Sequence, residues 1–165
     1  LSIEATLNQF GKVGVAALKQ DVQKVSATGE TAESIHFTVT HAADIYHLIF
    51  LARKYFSTLE TGRGPRKSSE YGGFDDKMLE YMNARGIGAD LTDKKRKQLA
   101  RFLTYKINKE GDQTFKKGGR VVYSPTIAKL VEEITVAIAK DFKELVITRI
   151  RNGFNTSATA GGNPG

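Results

Sequence analysis

Between residues 3 and 25 apolar side chains recur at helical spacing: Ile3, Leu7, Phe10, Leu18, Val22 and Val25, with Lys12, Lys19, Gln20 and Lys24 around them. This predicts an amphipathic helix, with Ser2 placed to cap its first turn. Gly11 and Gly14 each weaken such a helix by about 1 kcal/mol relative to Ala, which points to close packing against another backbone there. Thr28-Gly29 ends the segment. The period then changes. Over residues 34–40, Ile35, Phe37 and Val39 alternate with His36, Thr38 and Thr40, the pattern of a half-buried strand. Residues 44–52 are apolar at nearly every position, which predicts a second strand covered on both faces. The short connection through Ala42 and Ala43 joins the two as a hairpin.

A short helix is expected after Tyr55, ending at Gly62, followed by a polar loop over residues 61–73 with four Gly and one Pro. Residues 74–85 read as a helix, with Asp75 and Asp76 in the first turn and Arg85 in the last, both suited to the helix dipole. Thr92 or Asp93 opens the next helix, which carries Leu99, Phe102, Leu103 and Ile107 and stops at Gly111. A second loop over residues 112–119 leads to a short strand at 120–123. Ser124-Pro125 starts the last helix, whose apolar positions run from Ile127 to Ile150. At 1.5 Å per residue it would be roughly 38 Å long. Residues 152–165 have no apolar stripe and are expected to form a flexible C-terminal tail. The expected fold is therefore a single α+β domain over residues 1–151. In it a small antiparallel sheet, a hairpin plus a short strand, packs with long N- and C-terminal helices and two intervening helices.

Charge changes this picture in one region. Residues 53–120 hold 17 Lys and Arg against 9 Asp and Glu, while the rest of the 165-residue chain holds 8 against 9. The middle of the chain is thus net +8 and the rest net −1, which together give the chain's +7 and point to an anionic partner or to acidic neighbouring subunits. Hydrophobic content of 40% and charged content of 26% are those of an ordinary globular protein. No apolar run approaches the roughly 18–20 residues of a membrane span, and no signal peptide is read at the start. Disulfides and thiol catalysis are excluded because there is no cysteine.

The remaining candidates for chemistry are weak. His36 and His41 are an odd number apart, so on one strand they face opposite ways, and His47 lies on the next strand. No metal site is expected. The loop from Gly62 to Ser68 has Arg66 where a phosphate-binding loop needs Gly before Lys67, so no nucleotide site is expected either. Asp75/Asp76 and Glu132/Glu133 are adjacent on helices and diverge by about 100°, which gives no acid–base pair. The basic residues remain: Lys94, Lys95, Arg96, Lys97, Arg101, Lys106 and Lys109 on one helix, then Lys116, Lys117 and Arg120. They read either as a solvated face or as a surface for nucleic-acid phosphate or an acidic neighbour.

A longer pattern spans about residues 45–125. A tyrosine-containing apolar stretch runs into Leu59-Glu60-Thr61-Gly62-Arg63-Gly64-Pro65-Arg66-Lys67. A helix end follows at Asn83-Ala84-Arg85-Gly86-Ile87, then a helix with Ala100-Arg101-Phe102-Leu103 and Lys106-Ile107, closing in Lys109-Glu110-Gly111. A basic, Gly-rich loop completes the stretch to Tyr123. This resembles the small neck proteins of tailed bacteriophages, the tail-completion or head–tail connector proteins. The chain departs from their pattern at Arg66, where Gly is expected after Pro65, in lacking a second Pro after Lys67, and at Arg85, where Lys is usual.

The resemblance implies a non-enzymatic virion subunit without cofactor, assembled in the host bacterial cytoplasm. It would form a sixfold or twelvefold ring between portal or adaptor and tail proteins, lining the DNA passage and touching passing DNA without sequence preference. Under that expectation Glu60, Arg63, Arg66, Lys67, Lys116, Lys117 and Arg120 would make inter-subunit or DNA-lumen contacts. The alternative is a stand-alone basic nucleic-acid-binding module.

Overall fold

The computed structural model describes residues 2–43, 45–66 and 74–160, with side chains described to residue 152. The fold is α+β. Helix α1 (Ile3–Val25) begins where the sequence placed it, with the Ser2 hydroxyl accepting the Ala5 amide at 3.2 Å. A short helix α2 (Glu30–Glu33), not expected from the sequence, follows Gly29. Strands β1 (His36–Ala42) and β2 (Ile45–Leu51) form an antiparallel hairpin in the register Phe37 to Phe50, Val39 to Leu48 and His41 to Tyr46. These three pairs share the inner face, which α1 covers. A Cβ on Gly11 would lie 2.8 Å from Cγ of Phe37, and one on Gly14 2.6 Å from Cζ of Phe50. The two glycines therefore admit aromatic rings of the sheet, where the sequence suggested a close backbone.

The rest of the chain is helical. After a turn come α3 (Thr58–Thr61), α4 (Phe74–Ala84), α5 (Asp93–Glu110), α6 (Gln113–Lys116) and α7 (Ser124–Ala160). α7 runs antiparallel to α1. Near one end the Thr126 hydroxyl donates to Asp21, and near the other the Thr6 hydroxyl donates to Asp141. The first bond, and then the Lys24 ammonium, hold the Asp21 carboxyl below its ordinary range.

Two apolar clusters form among the described residues. Leu18, Val22, Ala32 and Ile35 lie at the centre of the first, with Phe50, Phe56, Leu59 and Tyr123 packed against them. Fully burying a side chain such as Leu18 or Ile35 contributes about 1.5–3 kcal/mol. Met78, Met82 and Ala100 form the second between α4 and α5, with Phe74, Leu99, Leu103 and Ile107 around them. Arg85 ties this pair of helices back to the body by donating to the Val25 carbonyl at 3.1 Å.

Four expectations are corrected. The sheet among the described residues has two strands, and residues 120–123 are not one of them. The Val122 and Tyr123 amides turn to the Glu60 carboxylate and the Arg120 amide to the Glu60 carbonyl instead of to a neighbouring strand. β2 is not covered on both faces, because Ile45, Ile49 and Leu51 on its outer side are exposed. Phe102 lies outside the α5 stripe and is exposed, while Ala100, Thr104 and Asn108 are buried. α7 continues to Ala160, so residues 152–160 extend the helix by backbone hydrogen bonding without an apolar stripe. Residues 161–165 lie outside the described residues.

Candidate functional site

The basic loop and the end of α5, far apart in sequence, fold onto each other. Gly111 ends α5 at φ +81°, and its amide bonds to the Ile107 carbonyl. Asp112 then caps α6, one oxygen accepting the Phe115 amide at 2.8 Å. Its other oxygen accepts the Arg63 amide at 3.0 Å, and the Asp112 amide donates to the Arg63 carbonyl at 2.9 Å. One residue thus joins both segments through three of its atoms. The Arg66 amide adds a bond to the Asn108 carbonyl at 2.9 Å.

Phe115 fits over this junction, and it explains the glycines. A Cβ on Gly64 or Gly111 would lie 3.0 or 2.6 Å from the Phe115 ring, and one on Gly62 would collide with the Phe115 amide. Gly62 also needs its φ of +73°, a conformation that side chains resist. The Gly-rich motif is a seat for an aromatic ring. Sequence reasoning missed Phe115. Its signal was a capping Asp directly after the helix-stopping Gly, with an aromatic three residues on.

Glu60 forms the second half of the junction. One carboxylate oxygen accepts the amides of Val122, Tyr123 and Ser124 at 2.7–2.8 Å, and the other accepts the Ser124 hydroxyl. These donors open α7, so the anion sits at a helix N-terminus. Burial disfavours its charge, but the bonds from Ser124, Val122 and Tyr123 outweigh this and lower the Glu60 pKa to about 2. The Glu60 carbonyl accepts the Arg120 amide, and the Arg120 side chain donates to the Leu59 carbonyl, each at 2.8 Å. Arg63 completes the arrangement. Its guanidinium donates to Asn108 Oδ1 at 3.1 Å and lies 3.4 Å over the Phe74 ring. Burial, followed by the nearby Arg66 charge, lowers its pKa from the ordinary value.

The seven residues singled out from sequence therefore separate. Glu60, Arg63 and Arg120 have side-chain partners within the chain. Lys116 pairs with Glu110, and its ammonium holds that carboxyl below its ordinary range. Arg66 and Lys117 are exposed. Lys67 lies outside the described residues.

A different basic surface appears on α5. Lys94, Lys95, Arg101, Lys106 and Lys109 share its solvent side with the exposed rings of Phe102 and Tyr105. Among the described residues none of these five cations forms a salt bridge, and no group of three or more His, Asp or Glu is placed to hold a metal ion. No described helix is long and apolar enough to cross a membrane. Comparison with known proteins finds no family model, no curated protein and no solved structure that matches this chain.

Proposed function

We propose that this chain is a non-enzymatic structural subunit of a ring in the head–tail connector of a tailed bacteriophage, joining portal to tail and lining the DNA passage. The reading rests on the resemblance of residues 45–125 to phage neck proteins. The observation that carries it furthest is how much apolar surface one copy leaves in solvent. Ile45, Ile49 and Leu51 on the hairpin and Val131, Val136, Phe142, Leu145 and Ile150 on α7 are all exposed. In a 37-residue helix only Leu130 is a buried hydrophobic among the described side chains. Surfaces of this extent mark protein contacts. The junction of Glu60, Arg63, Asp112 and Phe115 supports the same reading in a second way, because it joins the two ends of the motif that carries the resemblance.

Quantitative mass spectrometry of purified phage particles tests the proposal. A fixed ratio to the portal protein, one to one or one to two, is expected, and absence from mature particles would overturn it. The α5 face supports a second reading as a nucleic-acid-binding module, since cations interleaved with exposed aromatics suit phosphates and bases. That reading requires the isolated protein to bind DNA with an affinity that falls steeply with salt.

A further inference from the structure

One copy of the chain leaves two apolar surfaces bare, and they differ in shape. The first is the outer face of the hairpin. Ile45, Ile49 and Leu51 are 57%, 40% and 42% exposed there, with Ala42, Thr38 and His36 as their cross-strand partners. The second is the far end of α7. Because Thr6 meets Asp141, only the first turn of α1 remains to cover anything beyond. Phe142, Leu145, Val146, Ile147 and Ile150 are all exposed in this stretch, Phe142 to 61%. At about 100° per residue these five side chains spread over roughly 200° of the helix circumference. A helix resting on one partner needs an apolar stripe of about 100°.

We infer that the far end of α7 in one copy packs on the outer face of the hairpin in a neighbouring copy. The packing that completes a sheet face is a helix laid across it, and α1 already does this on the inner face. The outer face offers the same kind of seat. Its eight positions are His36, Thr38, Thr40, Ala42, Ile45, His47, Ile49 and Leu51, with no carboxylate, Lys or Arg. Lys143 and Arg149 lie within this arc, on either side of the stripe formed by Phe142, Val146 and Ile150, and meet no cation there. A rod meeting a sheet is a contact between unlike surfaces. Each copy then extends a helix to one neighbour and receives one from the other, the arrangement that closes into a ring about a rotation axis. The wide apolar arc fits this, since it provides for contacts on two sides. The inference deepens the ring reading but stands on these two surfaces, and it is tested on purified protein without phage.

The chain has no cysteine, so introduced thiols report contacts without background. In the full chain carrying both Thr38→Cys and Val146→Cys, oxidation should give a ladder of crosslinked species reversed by reductant. A mixture of the two single variants should give dimers only, and neither single variant alone should crosslink. Phe142→Asp and Ile49→Asp should each lower the mass measured by light scattering toward that of one chain, with circular dichroism unchanged because both residues are exposed in the subunit. Crosslinking by Val146→Cys alone would mean helix on helix and would overturn the inference. A wild-type chain monomeric at every concentration, or an oligomer that survives both Asp variants, would also overturn it. Crosslinked ladders from a protein absent from phage particles would leave this interface standing and remove only the phage reading.

Discussion

Replacing Glu60 by Gln tests the junction at its most connected atom pair. The substitution keeps the shape and one acceptor oxygen but removes the charge that three amides and a hydroxyl share. It also points an NH2 group at donors. A shift from 4.5 to about 2 would correspond to roughly 3 kcal/mol if it acted in full. Glu60 is only half-buried, so screening by solvent reduces the expected loss to about 1–2 kcal/mol. The sign follows from the lowered pKa. The stabilisation is fully present above pH 4.5 and is lost as the pH falls through about 2. Urea denaturation of wild type and Glu60→Gln should therefore differ by about 1–2 kcal/mol at pH 7, and the gap should narrow steadily below pH 4.5. A difference under about 0.3 kcal/mol at pH 7, or a gap that stays constant down to pH 2.5, would refute the reasoning.

Four further outcomes follow from single positions. Gly62→Ala should destabilise by more than about 3 kcal/mol in denaturant titration, because it combines a φ of +73° with a collision against Phe115. Gly86→Ala, at φ +67° but facing open space, should cost only about 1 kcal/mol, and equal losses at the two sites would refute the role given to Phe115. Thr104→Val should raise the melting temperature, since the buried Thr104 hydroxyl has no hydrogen-bond partner among the described residues and a methyl in its place removes about 1 kcal/mol of desolvation. Met82→Ala should lose about 2–4 kcal/mol by calorimetry, because Met82 is fully buried between α4 and α5.

Local signals in the sequence were reliable wherever local forces decide. Ser2 and Gly111 mark the start of α1 and the end of α5 because capping involves atoms only a few residues apart. The alternation of Phe37 and Val39 with Thr38 and Thr40 gave the inner and outer faces of β1 for the same reason. Val121-Val122-Tyr123 has the composition of a strand and was misread as one. The Val122 and Tyr123 amides are taken by Glu60, more than sixty residues upstream, and no window on the sequence contains both partners. The apolar run of β2 predicts cover on both faces, but α1 covers only one, because which neighbour packs on a strand face is decided by elements far away in sequence. At the candidate site the chemistry of the loop was visible but its direction was not. Arg63 looked like an outward contact, whereas Asn108 and Phe74 hold its head group within the chain.

The pairing of α1 with α7 also has a consequence in time. Asp21 waits for Thr126 across 105 residues, and Thr6 waits for Asp141 across 135. At about 5–20 residues per second, synthesis takes roughly 5–27 s to add the second partner after the first. Through that interval the face of α1 that α7 will cover stays open, and contacts so distant in sequence form slowly even in a finished chain. α7 is thus made after the helix it closes upon. Because the same helix extends past α1 to expose Phe142 and Ile150, a nascent chain presents these apolar side chains only after the stretch that covers α1 has been made.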